Sequence, residues 1–236
     1  MNNKRILFLD IEASNLAASI GFLLAIGYKW AGERETHVLR IDETEEFQVK
    51  KTDDTGLLKA FEPIYNQAEV IVYHFGDFYD LPFIQTRRLI KRMKPLPEVS
   101  SVDTWKICRK KLKFHNNRLD TILQALGCPI KKTAVMGEKW VDAMSGDSKG
   151  LDYIVDHCNK DVRVLEWVYN KIKAVWPHHP NMSSHSLSPR EKTCPICAKP
   201  SGRHNGTRRT IKKLYQRLVC SNCGHSWKGG EIKEII

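Results

Sequence analysis

Residues 4–14, KRILFLDIEAS, form a continuous apolar run rich in β-branched and aromatic side chains that ends in polar punctuation, the pattern of a strand covered on both faces. Side chains alternate along a strand, so Ile6, Phe8, Asp10 and Glu12 share one face and Leu7, Leu9 and Ile11 the other. Residues 21–30 and 36–41 read as two further strands around a turn at AGER, which together with the first predicts an antiparallel meander. Leu57, Leu58, Phe61, Ile64 and Tyr65 recur at helical spacing and predict a helix over 54–68, with Asp54 or Thr55 as N-cap and Pro63 kinking or shortening it. Residues 69–75 are a short buried strand, the loop GDFYDLP leads into a helix over 80–94, and residues 100–105 form a fifth, weaker strand. Helices are expected over 103–113, 118–127 and 149–174. Three strands followed by helices alternating with single strands predict an α/β fold, a mixed five-stranded sheet flanked by helices. The periodicity stops at WPHHPNMSSHSLSPR, residues 176–190, whose Pro, Ser and His content reads as a linker.

That pattern puts two carboxylates, Asp10 and Glu12, side by side on a strand face that should be core. Like charges repel and desolvation adds to the cost, so one carboxyl holds a proton or a cation sits between them. A divalent ion suits such oxygens. The alternative is that the strand has left the core at Asp10. Asp80 lies where the buried strand hands over to a helix and would serve as a cap there, with Asp77 the more exposed candidate in the same loop. Asp161 sits in LDYIVDHCNKDVRVLEWVYNKI, whose Ile154, Val155, Cys158, Val162, Leu165 and Val168 define a buried face. His157, four residues earlier, shares a face with Asp161, either as a site pair or as a local surface pair.

In this order, LDIEASNL, HFGDFYDLPFI and HCNKDV resemble the three motifs of the DEDD superfamily, the DnaQ-like 3′–5′ exonucleases with a ribonuclease H-like fold. The resemblance covers residues 4–175, and the intervening DTWKICRKKLKFHNNRLDTILQALG is similar to the branch related to B-family polymerase proofreading domains. It implies Asp10, Glu12, Asp80 and Asp161 as ligands of two Mg²⁺ or Mn²⁺ ions. Four acidic ligands roughly balance two divalent charges, and such a pair suits phosphodiester hydrolysis. The sequence also departs from the pattern. Phe75 replaces the usual Asn, and Tyr79 the usual Phe, of the second motif. His157 occupies the position of the tyrosine subclass's Tyr, and Asp156 that of the histidine subclass's His. A neutral imidazole at His157 can accept a proton from the attacking water or hydrogen-bond to it.

Charge and cysteine placement extend the picture beyond this domain. A net charge of +11 and a pI near 9.3 favour an acidic partner, most simply nucleic acid, over a merely soluble basic surface. Of seven cysteines, Cys108, Cys128 and Cys158 read as buried small hydrophobes. The other four form CPIC, Cys194 to Cys197, and CSNC, Cys220 to Cys223, separated by 22 residues (220 − 197 − 1). Four thiolates in two such knuckles resemble a zinc ribbon with one structural Zn²⁺; His225 is an alternative ligand and a redox dithiol pair an alternative role. Between the knuckles Arg203, Arg208, Arg209, Lys212, Lys213 and Arg217, with Tyr215, make a basic hairpin suited to phosphates and base stacking, with a tight turn expected at His204-Asn205-Gly206. From Glu191 onward ten Lys and Arg face three acids, Glu191, Glu231 and Glu234, though a solvated surface would look the same. RRLIKRMK at 87–94 and Arg109-Lys110-Lys111 either extend the basic track or are exposed helix faces. No apolar run reaches membrane-spanning length, and the chain reads as cytoplasmic. The expected organisation is an exonuclease domain at 1–175, a linker at 176–190 and a zinc ribbon at 191–236. The expected activity is metal-dependent 3′–5′ removal of nucleotides, from DNA more than RNA, at a single-stranded 3′ end. The alternatives are a catalytically inactive nucleic-acid-binding adaptor on the same fold and a structure-selective endonuclease.

Overall fold

The alternation of Ile6–Ala13 (β1) places it at the centre of a five-stranded sheet, with Leu7, Leu9 and Ile11 buried on one face. The computed structural model describes residues 5–130, 136–183 and 192–234. Leu23–Trp30 (β2) and His37–Arg40 (β3) complete the antiparallel meander, and Val70–Tyr73 (β4) and Ser100–Asp103 (β5) add parallel to β1, giving the order β3-β2-β1-β4-β5. All four residues of β4 are buried, as expected of a parallel strand covered on both faces. Helices fill the connections: Glu45–Val49 (α1), Thr55–Tyr65 (α2), Asp80–Ile90 (α3), Thr104–Lys111 (α4), Leu119–Ala125 (α5), Gly137–Ser145 (α6) and Ser148–Ile172 (α7). α2 buries Leu57, Leu58, Phe61 and Tyr65, and α3 Phe83 and Ile84, in the same core as Leu7, Leu9 and Ile11. α7 serves the opposite face of β1, where Tyr169 meets Phe8 edge-on at 5.5 Å. This is the mixed sheet with flanking helices that the sequence predicts, with α1 and α6 as additions. Among the described residues no helix is long and apolar enough to cross a membrane.

Several polar residues do other work than their spacing suggests. Asp54 precedes α2 but makes no side-chain cap; its fully buried carboxylate accepts from Leu23 N–H at 3.0 Å and takes Arg87 bidentately at 2.8 and 2.9 Å. Removing one partner of such a pair typically costs 3–5 kcal/mol, because the other charge stays buried. Arg88 is 1% exposed and pairs with Glu62, and Lys91 pairs with Asp53, so this part of the basic run at 87–94 belongs to the fold rather than to a binding track. Pro63 sits in the last turn of α2, which ends at Tyr65. α3 stops at Ile90, short of the expected 94.

The chain divides into two compact units, Arg5–Asn170 and the residues from Lys171 onward. The second unit holds a three-stranded antiparallel sheet of Gly202–Arg209 (β6), Lys213–Cys220 (β7) and Ser226–Glu234 (β8). The expected turn at His204-Asn205-Gly206 is instead a bulge inside β6: His204 pairs with Leu218 and Thr207 with Gln216, leaving one extra residue. Gly206 takes φ +75° there, and Arg217 Nε donates to Asn205 O at 2.5 Å. The hairpin reverses further on, where Thr210 N–H donates to Lys213 O at 2.8 Å and Ile211 and Lys212 form the tip. Its buried apolar centre is Cys194, Ile196 and Cys220, packed by Trp227. Residues 184–190 of the expected linker, with His185, and Glu191 lie outside the described residues; His179 Nδ1 is engaged by Pro180 O at 2.8 Å.

Candidate active site and thiol centre

Asp10 and Glu12 stand at alternate positions of β1, opposite Gly27 and Ala25 of β2. The helix α7 crosses this face closely enough that Cys158 Sγ lies 3.7 Å from both the carbonyl oxygen and Oδ2 of Asp10. Gly27 permits the approach. A Cβ there would stand 2.6 Å from Cys158 Sγ and 2.9 Å from Val162 Cγ2, so any side chain would push the helix away. Lys29, 5% exposed, pins the same two elements together through Glu166 of α7 at 2.8 Å. With α7 seated, His157 Nε2 lies 3.8 Å from Glu12 Oε1 and 3.8 Å from Asp161 Oδ2. Trp140 of α6 meets the His157 ring edge-on at 5.4 Å and fixes its other side. Asp156 points elsewhere, paired with Lys160 at 2.6 Å.

Asp80 is the first residue of α3, and its Oδ1 accepts the main-chain N–H of Ile11 at 3.2 Å, which holds the carboxyl against β1 at the residue that separates Asp10 from Glu12 in sequence. It is 4% exposed. Burial pushes its pKa up to about 7 against the opposing main-chain N–H groups of Asp80 and Ile11, with the nearby Asp103 charge adding to the rise. Burial and then the charges of Asp80, Glu12 and Asp10 push the Tyr79 phenol up to about 12, which keeps it a neutral donor, bonded to Asn15 O at 3.3 Å. Burial, and then the charges of Asp10, Glu12 and Asp161, raises the Cys158 thiol well above its ordinary value. One ligand atom each from Asp10, Glu12 and Cys158 lie within 4.8 Å of one another; Asp80 abuts this group through Ile11, and Asp161 through His157. Carboxylates gathered at such cost suit a hard divalent cation, which would relieve both repulsion and desolvation.

Sequence reasoning therefore named the residues that converge here but missed three that hold them. Cys158 is buried as expected but also touches Asp10. Gly27 is a glycine inside an apolar strand, itself a mark of close backbone approach. The third is Asp103, whose buried carboxylate accepts from Phe75 N–H (2.9 Å), Asp77 N–H (3.4 Å), Trp105 N–H (2.9 Å) and Lys106 N–H (3.4 Å). It thereby fixes the second-motif loop to α4. Asp77, the alternative to Asp80, is occupied by Tyr73, Ser101 and Lys106. Phe75 takes φ +70°, a left-handed conformation costing of order 1–3 kcal/mol for a bulky residue. Cys128 is half-buried rather than buried.

In the second unit the sulfurs of Cys194, Cys197, Cys220 and Cys223 lie within 4.8 Å of one another, with Cys194–Cys223 and Cys197–Cys220 both at 3.7 Å. A zinc tetrahedron with Zn–S near 2.3 Å has edges of about 3.8 Å, so the four thiols fit that ion. The Cys220 thiol is buried, yet Ser201 Oγ at 2.8 Å and the N–H groups of Asn222 and Cys223 hold its pKa down to about 6. The four cysteines close the group without His225, whose Nδ1 bonds Ala174 O at 2.8 Å while its ring stacks on Trp227.

The basic residues of this sheet do not share one face. Alternation along β7 puts Lys213, Tyr215, Arg217 and Val219 together; the cross-strand register adds Arg203, opposite Val219, and Arg208, opposite Tyr215. Lys228, absent from the expected set, lies opposite Arg217 with its Nζ 4.2 Å from the centre of the Tyr215 ring. Arg209 pairs with Leu214 on the other face, and Lys212 sits at the tip. Lys213 is tied to Glu231 at 2.9 Å.

Comparison with known proteins agrees with this architecture. The fold matches part of the family B DNA polymerase from the hyperthermophilic archaeon Pyrobaculum calidifontis, with a TM-score of 0.59 and 16% identity over 72% of this chain and 24% of the polymerase. At that identity the match establishes the fold. No curated protein sequence matches the chain. A family model described as the RNase_H superfamily matches residues 7–173, which contain the five-stranded sheet except Ile6 and every carboxylate of the cluster. Over these residues the chain is a member of the RNase_H superfamily, with a ribonuclease H-like fold.

Proposed function

We propose that the chain is a metal-dependent nuclease that removes nucleotides from the 3′ end of nucleic acid, DNA in preference to RNA. The observation that carries this reading is the convergence of Asp10, Glu12, Asp80, His157 and Asp161 from three separate motifs at one end of β1. The superfamily membership and the motif resemblance support it. Asp10, Glu12, Asp80 and Asp161 would hold two Mg²⁺ or Mn²⁺ ions, which when bound supply an activated water and stabilisation of the leaving oxygen. Ile11 N–H holds Asp80 in place, Gly27 lets α7 carry Asp161 to the strand, and His157 faces the space between Glu12 and Asp161, where it orients the attacking water. The unit carrying the four cysteines, read as a ribbon with one structural Zn²⁺, would supply affinity through Arg203, Arg208, Tyr215, Arg217 and Lys228.

The test is a panel of end-labelled DNA and RNA oligonucleotides, labelled at either end, with Mg²⁺ or with chelator. Stepwise shortening from the 3′ end that needs Mg²⁺ and disappears in Asp10→Ala is expected. Asp10→Ala cleaving like the wild type would overturn the assignment, and internal cuts alone would point to an endonuclease. The altered second motif, Phe75 and Tyr79, favours one other reading, a binding adaptor without activity; it predicts tight binding and no shortening under any metal.

A further inference from the structure

Beside the carboxylates, at the ends of β4 and β5, a cleft of about 620 Å³ opens between the second-motif loop and the segment that follows α4. That is within the range of small-ligand sites. Its walls are aromatic and basic: Phe75, Trp105 and Phe114, with Arg109 and Arg118. Phe75 is 41% exposed, and the Phe78 ring beside it 54%. Phe75 meets Phe78 at 5.1 Å and Trp105 at 5.1 Å, so the rings brace one another in a fixed arrangement. An unfavourable backbone conformation, held by the buried Asp103, turns the large apolar side chain of Phe75 toward solvent. Burial of Phe75 in the core therefore does not account for that conformation. The floor is equally fixed. His74 Nε2 faces Asn117 O at 2.9 Å, so that nitrogen carries a proton, and Nδ1 meets Thr104 Oγ1 at 2.9 Å. Together these bonds tie β4 and α4 to the loop at 116–118. Arg109 and Arg118 are exposed at the rim.

The register of β1 and β4, with Phe8 opposite Val72, brings His74 level with Asp10 one strand away. A strand whose end lies at Asp10 and Glu12 can thus lay a neighbouring nucleotide across the cleft. Flat aromatic walls take any base, and guanidinium groups at the rim take its phosphates. We propose that this cleft binds an unpaired nucleobase of the substrate strand, close to but distinct from the nucleotide being cleaved. The base stacks on Trp105 and meets Phe75, whose ring stands at 70° to that of Trp105, with its edge, and Arg109 and Arg118 engage the flanking phosphates. The cleft thereby selects single-stranded nucleic acid. The inference rests on the nuclease reading for its choice of ligand, but the two fail separately.

The experiment is an abasic scan. Single-stranded oligonucleotides carrying one abasic residue at successive positions from the 3′ end are titrated by fluorescence anisotropy against full-length Asp10→Asn, and their cleavage is followed with the wild type. A base-holding cleft gives a loss of about tenfold at one or two adjacent positions and little elsewhere. Trp105→Ala and Phe75→Ala should weaken the intact strand about tenfold and abolish the extra loss at those positions, since both changes remove the same contact. Arg109→Ala, an exposed change without packing consequences, should weaken binding and flatten its salt dependence while the positional loss persists. A flat profile across all positions overturns the cleft even if every variant were unfolded, because the scan needs no change to the aromatic residues. A flat profile with normal cleavage leaves the nuclease reading standing; a positional loss without cleavage of any strand does the reverse; no binding to any strand removes both.

Discussion

Asp10 meets Cys158 across 148 positions of sequence, because a sheet and a 25-residue helix carry them together; Cys194 meets Cys197 because two residues separate them. Both clusters gather groups that metal ions bind, but one is a by-product of a large core and the other has almost no core of its own. Leu7, Leu9, Ile26 and Ile71 are fully buried beneath the carboxylates, whereas the buried cluster at the thiols is Cys194, Ile196 and Cys220, with Ile172, Trp176, Met182 and Leu218 buried elsewhere in that unit. On the proposed reading, the carboxylate site stands in a fold whose core is independent of metal, and its ions would complete the chemistry. At the thiol site, on the same reading, a zinc ion would complete the fold.

The largest effect should be on the second unit. Cys220→Ser, or removal of zinc by a strong chelator, is expected to forfeit most of the roughly 10–16 kcal/mol that a structural zinc contributes. Elemental analysis should fall from one zinc per chain toward none, and proteolysis should open residues beyond Lys171 while the melting transition of Arg5–Asn170 stays in place. A shift of both transitions would erase the contrast between the two clusters. Next comes Asp10→Asn, which should lower cleavage by about 10³-fold, the upper range for removing one preorganised charge-stabilising group. Its melting temperature should hold or rise, since a like charge has left the cluster; a collapse of the fold would show Asp10 to be structural.

His157→Ala should cost about 10²-fold in turnover, with His157→Tyr recovering part and Asp156→Ala, paired outward with Lys160, changing little. Equal losses at 156 and 157 would remove the special role of His157. Gly27→Ala tests the contact that assembles the site: forcing a methyl into 2.6 Å of Cys158 Sγ should destabilise by about 1–3 kcal/mol and slow turnover as α7 shifts. Smallest is the basic face. Arg208→Ala should reduce the salt slope of binding by about one phosphate contact, and Arg209→Ala, on the opposite face, by less. Equal slopes would mean that neither face is preferred.

What the sequence made legible follows the same division. Alternation in β1 is a local property, so the face shared by Asp10 and Glu12 could be read directly, and so could the helical turn that joins His157 to Asp161. The knuckle spacing is equally local. What stayed hidden was set by partners distant in the chain. Asp54 looked like a cap because its neighbours are helical, yet Arg87 and Leu23 claim it. Cys158 looked like filler because nothing near it in sequence shows that Gly27 lies beneath. His204-Asn205-Gly206 has the composition of a turn, and only the pairing of β6 with β7 decides that the reversal comes at Thr210–Lys213.

The thiol of Cys158 gives the molecule a clock for its own breathing. The side chain is fully buried between α7 and β2, so a thiol reagent reaches it when the helix lifts from the sheet. Under conditions where reclosing outpaces labelling, the modification rate reads the free energy of that local opening rather than of global unfolding. A divalent ion bridging β1 and α7 would slow the labelling in proportion to its occupancy, so the reaction would report cation affinity in the absence of any nucleic acid.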